Sequence, residues 1–341
     1  MASREDPPTG NITAGTQTST ELTPDPTTDE RAGLSRLEAR LGYLYIQQRL
    51  GLERDNEARI LRRGTHFFHL ENWYATPSLI RTSLAILGLR HRAQSNALDI
   101  ALRQHDVPVA RLPAAFEGYT ILHLSDLHLD ISAGFTDALV ERVRALRYDL
   151  CVLTGDYRAA THGPCDNALA CLKRLRPHIS APVYAILGNH DSIRMVPPME
   201  AMGYHMLLNE WARIDRDSDS IWLSGIDDPH YYRLQNFHRA AQDIPRGAVS
   251  VLLSHTPEVY RLAAHADFNL MLCGHTHGGQ ICLPGGRPIV TDANSPRRFA
   301  RGSWRYHDMI GYTSVGAGCS ILDVRLNCQP EVTLHRLRNA S

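Results

Sequence analysis

Past residue 113 the chain alternates short apolar runs with helix-like stretches, the rhythm of a layered α/β protein. The runs YTILHLS, DLCVLTG, VYAILGN, SVLLSH and NLMLCG each end on small or polar residues. They predict β-strands whose carboxyl ends carry loops of a different chemistry. Between residues 33 and 63, Leu34, Leu37, Leu41, Leu44, Leu50 and Ile60 recur loosely at helical spacing among charges, which predicts one or two amphipathic helices. Residues 66–92 mix aromatics, the apolar stretch SLAILGL and flanking arginines. Two readings of that segment stand: a helix packed on the main domain with its aromatics as filler, or an interfacial element resting on a membrane. Residues 1–32 are rich in Thr, Pro, Gly, Ser and acids, too little apolar surface to offset ordering entropy. The expected organisation is a disordered tail over 1–32, a helical extension over 33–112 and an α/β domain over 113–341.

Composition narrows the function classes. Lys plus Arg and Asp plus Glu number 36 each, so no overall field draws the chain to nucleic acid or to an acidic surface. A basic stripe with interleaved aromatics is also missing, and no specific nucleic-acid partner is expected. The seven cysteines are scattered without a CxxC pair, as in a reducing compartment. The opening MASREDPPTG lacks a basic stretch followed by an apolar core, and no run approaches the roughly 20 apolar residues that cross a bilayer. The expected location is cytoplasmic, at the inner face of the membrane if residues 66–92 are interfacial.

The chemistry sits at the five strand endings: Asp126-Leu127-His128, Gly155-Asp156, Gly188-Asn189-His190-Asp191, His255, and Gly274-His275-Thr276-His277. Ligands in open α/β sheets bind in the crevice beyond the carboxyl ends of strands, so five endings scattered in sequence can converge in space. Residues two apart, as in Asp126/His128 and His275/His277, can both point into one cleft. Each block alone is weak, since a lone histidine is more often a hydrogen-bonded core or surface residue. Their shared placement is what points to a metal site.

The order DxH, GD, GNHD, H, GHxH is similar to the signature of the calcineurin-like metallophosphoesterases. That resemblance implies a four-layer α-β-β-α sandwich over about residues 118–338, here with an N-terminal helical extension. It also implies two divalent cations, one held by Asp126, His128, Asp156 and His277, the other by Asp156, Asn189, His255 and His275, with Asp156 shared. Nitrogen and oxygen ligands together suit manganese, iron or zinc rather than calcium. Such a pair hydrolyses a phosphoester substrate directly by water, without a Ser or Cys nucleophile. The resemblance gives His190 leaving-group protonation or phosphate stabilisation. Many members carry GDxxD, and the aspartate that would orient this histidine is Ala159 here; Asp191 is the candidate to replace it. Arg158 is a candidate for substrate phosphate, and so are Arg297 and Arg298 in the basic loop 284–304. Tyr231 and Tyr232 could stack on a base or sugar, or merely pack. GHTHGGQICLPGG and PEVTLHRL look like the YkuE/YaeI-type branch of bacterial phosphodiesterases. Some of that branch resemble an enzyme that cleaves a lipid-linked pyrophosphate, and members often start with a membrane helix. A binding scaffold of the same fold that has lost catalysis is the alternative function.

Overall fold

A computed structural model describes residues 28–62 and 75–340. In chain order the helices are α1 (Thr28–Leu41), α2 (Tyr43–Arg62), α3 (Ala75–Ile86), α4 (Arg90–Leu98), α5 (Phe135–Val143), α6 (Asp166–Leu175), α7 (Val196–Ala201), α8 (Phe237–Ala241) and α9 (Tyr260–His265). The strands are β1 (Ala101–Val109), β2 (Thr120–Leu124), β3 (Leu150–Leu153), β4 (Val183–Ala185), β5 (Tyr204–Met206), β6 (Glu210–Arg216) and β7 (Asp219–Gly225). They continue with β8 (Ser250–Leu253), β9 (Leu270–Cys273), β10 (Cys282–Leu283), β11 (Arg287–Pro288), β12 (Gly302–Tyr306), β13 (Met309–Thr313) and β14 (Glu331–Asn339).

Two six-stranded sheets form, in the orders β1-β14-β2-β3-β4-β5 and β12-β13-β9-β8-β7-β6. Strands β2 to β5 are parallel, as are β7, β8, β9 and β13. The apolar runs of β2, β3, β8 and β9 are continuous because both faces of each strand are covered. Ile121, Leu150 and Val152 of the first sheet join Leu223, Val251, Leu253, Leu270 and Leu272 of the second in one cluster between the sheets. Their neighbours Leu122, Leu124, Cys151 and Leu153 face outward into a cluster under α5, α6 and α7. Leu252, Met271 and Cys273 face the other way, against Ala240 of α8 and Ala263 of α9. The result is four layers, helix, sheet, sheet, helix. Each fully buried Leu or Val contributes about 1.5–3 kcal/mol over an exposed one, so the two inner strand faces carry much of the stability.

The N-terminal region departs from expectation in two ways. Residues 28–32 form the first turn of α1, where Asp29 and Glu30 complement the helix dipole; residues 1–27 of the expected tail lie outside the described residues. The segment 33–112 is not wholly helical, because β1 pairs in parallel with β14 along nine positions at the edge of the first sheet. Its sequence ALRQHDVPV has no apolar run, since an edge strand exposes much of its surface and tolerates Pro108. Leu34, Leu37 and Leu41 of α1 and Ile46 and Leu50 of α2 belong to the same core as the outer face of the first sheet. These helices are part of the outer layer. Of the segment 66–92, residues 66–74 lie outside the described residues; α3 packs through Leu84 on Leu322 and Val324.

His123 and His335 are fully buried between the sheets. Burial pushes His123 down to about 3 and holds His335 well below the usual imidazole range. Below its ordinary value of 6.5 the unfolded chain takes up a proton that the folded chain refuses, so stability falls as pH drops from 6.5 toward 3. His123 alone implies a loss on the order of 1.4 kcal/mol per pH unit in that window. Urea unfolding at pH 7, 6 and 5 measures this directly, and equal midpoints would contradict it.

Candidate active site

The site forms where β2, β3, β4, β8 and β9 end. Strand β2 runs into Asp126 and His128, β3 into Asp156, β4 into Asn189, β8 into His255, and β9 into His275 and His277. The glycines before Asn189 and His275 are required by close approach. A Cβ on Gly188 would stand 2.2 Å from Asp156 Oδ1, and one on Gly274 would stand 2.2 Å from Asp126 Oδ2. Five non-glycine residues here have positive φ: Asp126 at 52°, His128 at 40°, Asp156 at 59°, His275 at 71° and His277 at 49°. Such conformations cost of order 1–3 kcal/mol each and persist where the surroundings over-determine them, commonly at functional sites.

The seven candidate ligands come together in two groups. Asp126, His128 and His277 form one, and Asp156, His255 and His275 the other, which Asn189 joins through His255. In the first, His128 Nε2 lies 3.1 Å from His277 Nε2, and His277 Nε2 lies 3.7 Å from Asp126 Oδ1. In the second, His255 Nε2 lies 2.8 Å from Asn189 Oδ1, 3.2 Å from Asp156 Oδ2 and 3.2 Å from His275 Nδ1. Asp156 Oδ2 is also 3.7 Å from His128 Nε2, which places this one oxygen between the groups.

Hydrogen bonds behind the site set the imidazoles. His128 Nδ1 donates to the Arg158 carbonyl at 2.8 Å, and His255 Nδ1 donates to the Thr154 carbonyl at 2.7 Å. In the neutral form each Nε2 would present its lone pair inward, as a metal ligand must; without a cation, Asp156 at 3.2 Å outweighs burial and holds His255 protonated, well above the usual imidazole range. His128 Nε2 and His277 Nε2 face each other at 3.1 Å, and the proton that His255 holds against Asp156 and Asn189 occupies the place a cation would take. The residues fit divalent metal ions, with the mixed nitrogen and oxygen set expected of manganese, iron or zinc.

Electrostatics separates the two ligand carboxylates. Burial raises Asp126 to about 6. Burial also pushes Asp156 upward, but His255 and His190 beside it hold its carboxyl well below the usual range. Burial holds both His275 and His277 well below the imidazole range, aided at His277 by His128 and by the Arg325 cation.

Several expectations change. Asp191 does not orient His190. Its carboxylate accepts from the backbone amides of Asp156 at 2.7 Å, Gly188 at 2.8 Å and Tyr157 at 2.8 Å, pinning the β3 and β4 loops to each other. His190 Nδ1 instead donates to the carbonyl of Ala159 at 2.8 Å, so backbone at that position does what the family's aspartate would do. His190 Nε2 stands 3.9 Å from Asp156 Oδ2. Arg158 is not offered to substrate: it is buried and spends its guanidinium on the carbonyls of His190, Gly163 and Thr161. Arg297 and Arg298 are exposed on a turn whose end is tied to the site by Thr276, which donates to the Ala300 carbonyl at 2.5 Å. Tyr232 packs, with the Arg49 guanidinium 3.3 Å from its ring centroid.

Sequence reasoning missed a set of buried supports. Arg325 is fully buried behind His277, donating to the His277 carbonyl at 3.0 Å and the Val315 carbonyl at 2.8 Å. Arg49 of α2 donates to the Asp191 carbonyl at 2.9 Å, and Glu53 accepts from Ser192 Oγ at 2.6 Å and from the Ile193 amide at 2.8 Å. His230 and Asp292 lie beside the second group and share His275 with it. No local pattern marks any of these, because each gains its meaning only from what it packs against.

Residues 119–279 match the calcineurin-like phosphoesterase family. An uncharacterised metallophosphoesterase of Bacillus subtilis, YkoQ, is 29% identical over 271 residues, 76% of this chain and 99% of that protein. The Escherichia coli phosphodiesterase YaeI is 28% identical over 64% of this chain and 82% of its own length. A Bos taurus transmembrane protein with a metallophosphoesterase domain is 30% identical over 75% of this chain, which spans 60% of that longer protein. Four layers, a carboxylate and imidazole centre at the strand ends and these relatives agree on one class: residues 119–279 belong to the calcineurin-like phosphoesterase family, hydrolases of phosphoester bonds that depend on divalent metal ions. Within that class it is similar to the bacterial YkuE/YaeI-type proteins: the Bacillus subtilis metallophosphoesterase YkuE is 26% identical over 71% of this chain and 87% of its own length.

Proposed function

We propose that the chain hydrolyses a phosphodiester, pyrophosphate or monoester with two divalent cations, one held by Asp126, His128, Asp156 and His277 and the other by Asp156, Asn189, His255 and His275. The observation that carries this reading is the position of Asp156 Oδ2, 3.2 Å from His255 Nε2 and 3.7 Å from His128 Nε2, one oxygen within reach of both groups. Bound there, the cations supply Lewis-acid stabilisation of the phosphate charge and activation of the attacking water. Asp156 is held as an anion, and its Oδ1 accepts from the His190 amide at 2.9 Å, coupling the shared ligand to the catalytic loop. His190, its Nδ1 committed to Ala159, turns Nε2 toward Asp156, where it can protonate a leaving oxygen or hold a phosphate oxygen. Arg297 and Arg298, exposed on their turn, are the remaining candidates to meet substrate phosphate. A scaffold without catalysis is disfavoured because every ligand type is retained and five of the seven hold positive φ. With added manganese the purified chain is expected to cleave bis(p-nitrophenyl) phosphate, and a panel of diesters, monoesters, nucleotides and lipid pyrophosphates under one metal condition ranks the substrates. No turnover on any of them, with two metals bound, would favour the scaffold.

We further propose that the chain works at the cytoplasmic face of a membrane, on a lipid-linked or a nucleotide substrate. Among the described residues no helix is long and apolar enough to cross a bilayer. Leu79, Ile86 and Leu87 are nevertheless 67%, 80% and 67% exposed, alongside exposed Arg81, Arg90 and Arg92, the mixture that suits an anionic lipid surface. Co-sedimentation with phosphatidylglycerol vesicles is expected, lost when Leu79, Ile86 and Leu87 are replaced by serine. Failure of the native chain to sediment would remove the membrane from the proposal and leave hydrolysis intact.

A further inference from the structure

We infer that a one-way chain of hydrogen bonds, running from the edge strand β1 through His105, His335, His123, Thr154 and Ser125, ends on Asp126 and positions that carboxylate for its cation; the inference rests on the metal assignment proposed above. The links are His105 Nδ1 to His335 Nδ1 at 3.1 Å, His335 Nε2 to His123 Nδ1 at 3.3 Å, and His123 Nε2 to Thr154 Oγ1 at 2.9 Å. Thr154 Oγ1 then meets Ser125 Oγ at 2.6 Å, and Ser125 Oγ meets Asp126 Oδ2 at 2.6 Å.

The direction of every link follows from the last one. A metal-bound carboxylate only accepts, so Ser125 gives its single hydroxyl proton to Asp126. Thr154 must then donate to Ser125, which leaves His123 Nε2 as the donor to Thr154. The neutral imidazole of His123 consequently accepts at Nδ1, from the Nε2 proton of His335. His335 in turn accepts at Nδ1, from His105. Burial keeps His123 and His335 neutral, as this order demands. The Tyr312 ring covers the three imidazoles, with centroids 5.1 Å from His105, 6.4 Å from His123 and 4.7 Å from His335.

Five aligned donors reinforce one another and place their positive ends toward Asp126. Oδ2 is thereby held by Ser125 while Oδ1, 3.7 Å from His277 Nε2, faces the metal group. Outer partners of this kind orient ligands and commonly govern metal affinity. The chain also gives β1 and β14 a part in the site, though neither strand supplies a ligand. Among the relay residues, only Ser125 and Thr154 lie beside a recognised sequence block.

The test reads proton positions and metal affinity separately. Two-bond nitrogen-15 spectra of histidine-labelled protein at neutral pH should show His123 and His335 neutral with the proton on Nε2, and His105 protonated on Nδ1. A proton on His123 Nδ1, or a charged His335, overturns the inference. Zinc affinity by chelator competition should fall about tenfold in His335→Leu, the low end for outer partners, and stay within about twofold of native in His335→Gln, whose amide can both donate and accept along the same line. Unchanged affinity in His335→Leu, or equal losses in both variants, also overturns it. If His335→Leu does not fold, the spectra of the native chain decide. A native chain that binds no zinc would sink the proposed function, while the proton positions would still report on the relay.

Discussion

Asp156→Ala is expected to lower kcat/KM on bis(p-nitrophenyl) phosphate by roughly three orders of magnitude or more, because several kcal/mol of transition-state charge stabilisation depend on the cations it would share. Its side chain has three duties in the structure. Oδ2 stands between the two ligand groups, Oδ1 accepts from the His190 amide at 2.9 Å, and the negative charge offsets His255 at 3.2 Å. Alanine removes all three at once. Metal content per chain, measured on the same preparation, should fall with turnover. Asp156→Asn keeps the shape and the His190 contact yet removes the charge, so a comparable loss in that variant assigns the effect to charge. Retention of more than a tenth of native activity in both would defeat the two-cation reading.

Arg49→Leu is expected to destabilise the chain by about 3–5 kcal/mol, the penalty for removing one partner of a buried ionic group. Arg49 is fully buried in α2, with Nε 3.3 Å from Glu53 Oε1 and 3.8 Å from Asp227 Oδ2, and Tyr45 donates to the same Asp227 oxygen at 2.6 Å. Leucine strands the Asp227 carboxylate in a low-dielectric interior and gives up the Tyr232 ring contact. Replacing Asp227 with leucine as well should recover much of the loss, since removing both partners is far less costly than removing one. Urea unfolding of the single and double variants measures this, and a single-variant change under 1 kcal/mol would mean that α2 is an appendage. Because Arg49 also holds the Asp191 carbonyl, the single variant should lower kcat through the Asn189 loop.

Across the expected division at residue 113, α1, α2 and β1 share their core and sheet with the α/β layers. Helical spacing identified the apolar stripe of Leu34, Leu37, Leu41 and Leu50, but a stripe does not say which surface it covers. Strand β1 was harder still. At a sheet edge its polar residues are tolerated on both faces, and its pairing with β14, 230 positions away at His105 and His335, is a contact no local pattern encodes.

Arg158 and Asp191 illustrate the same limit within the site. Both lie beside metal-ligand blocks, and both side chains turn away to hold backbone, because folding leaves carbonyls and amides there that need partners. Ala159 carries the opposite lesson: the carboxylate a pattern leads one to expect is replaced by a main-chain carbonyl, which every residue possesses.

By itself the sequence determined the five central strands, the candidate ligands at their ends and the class of reaction they support. Those features depend on residue type at short spacing: apolar runs buried on two faces, glycine where backbones touch, and imidazole or carboxylate immediately after. Only the tertiary structure decided which cations are free to act, what orients His190 and which distant residues reach Asp126. These depend on packing and hydrogen-bond direction between segments far apart in the chain, and such relations exist only once the layers have closed.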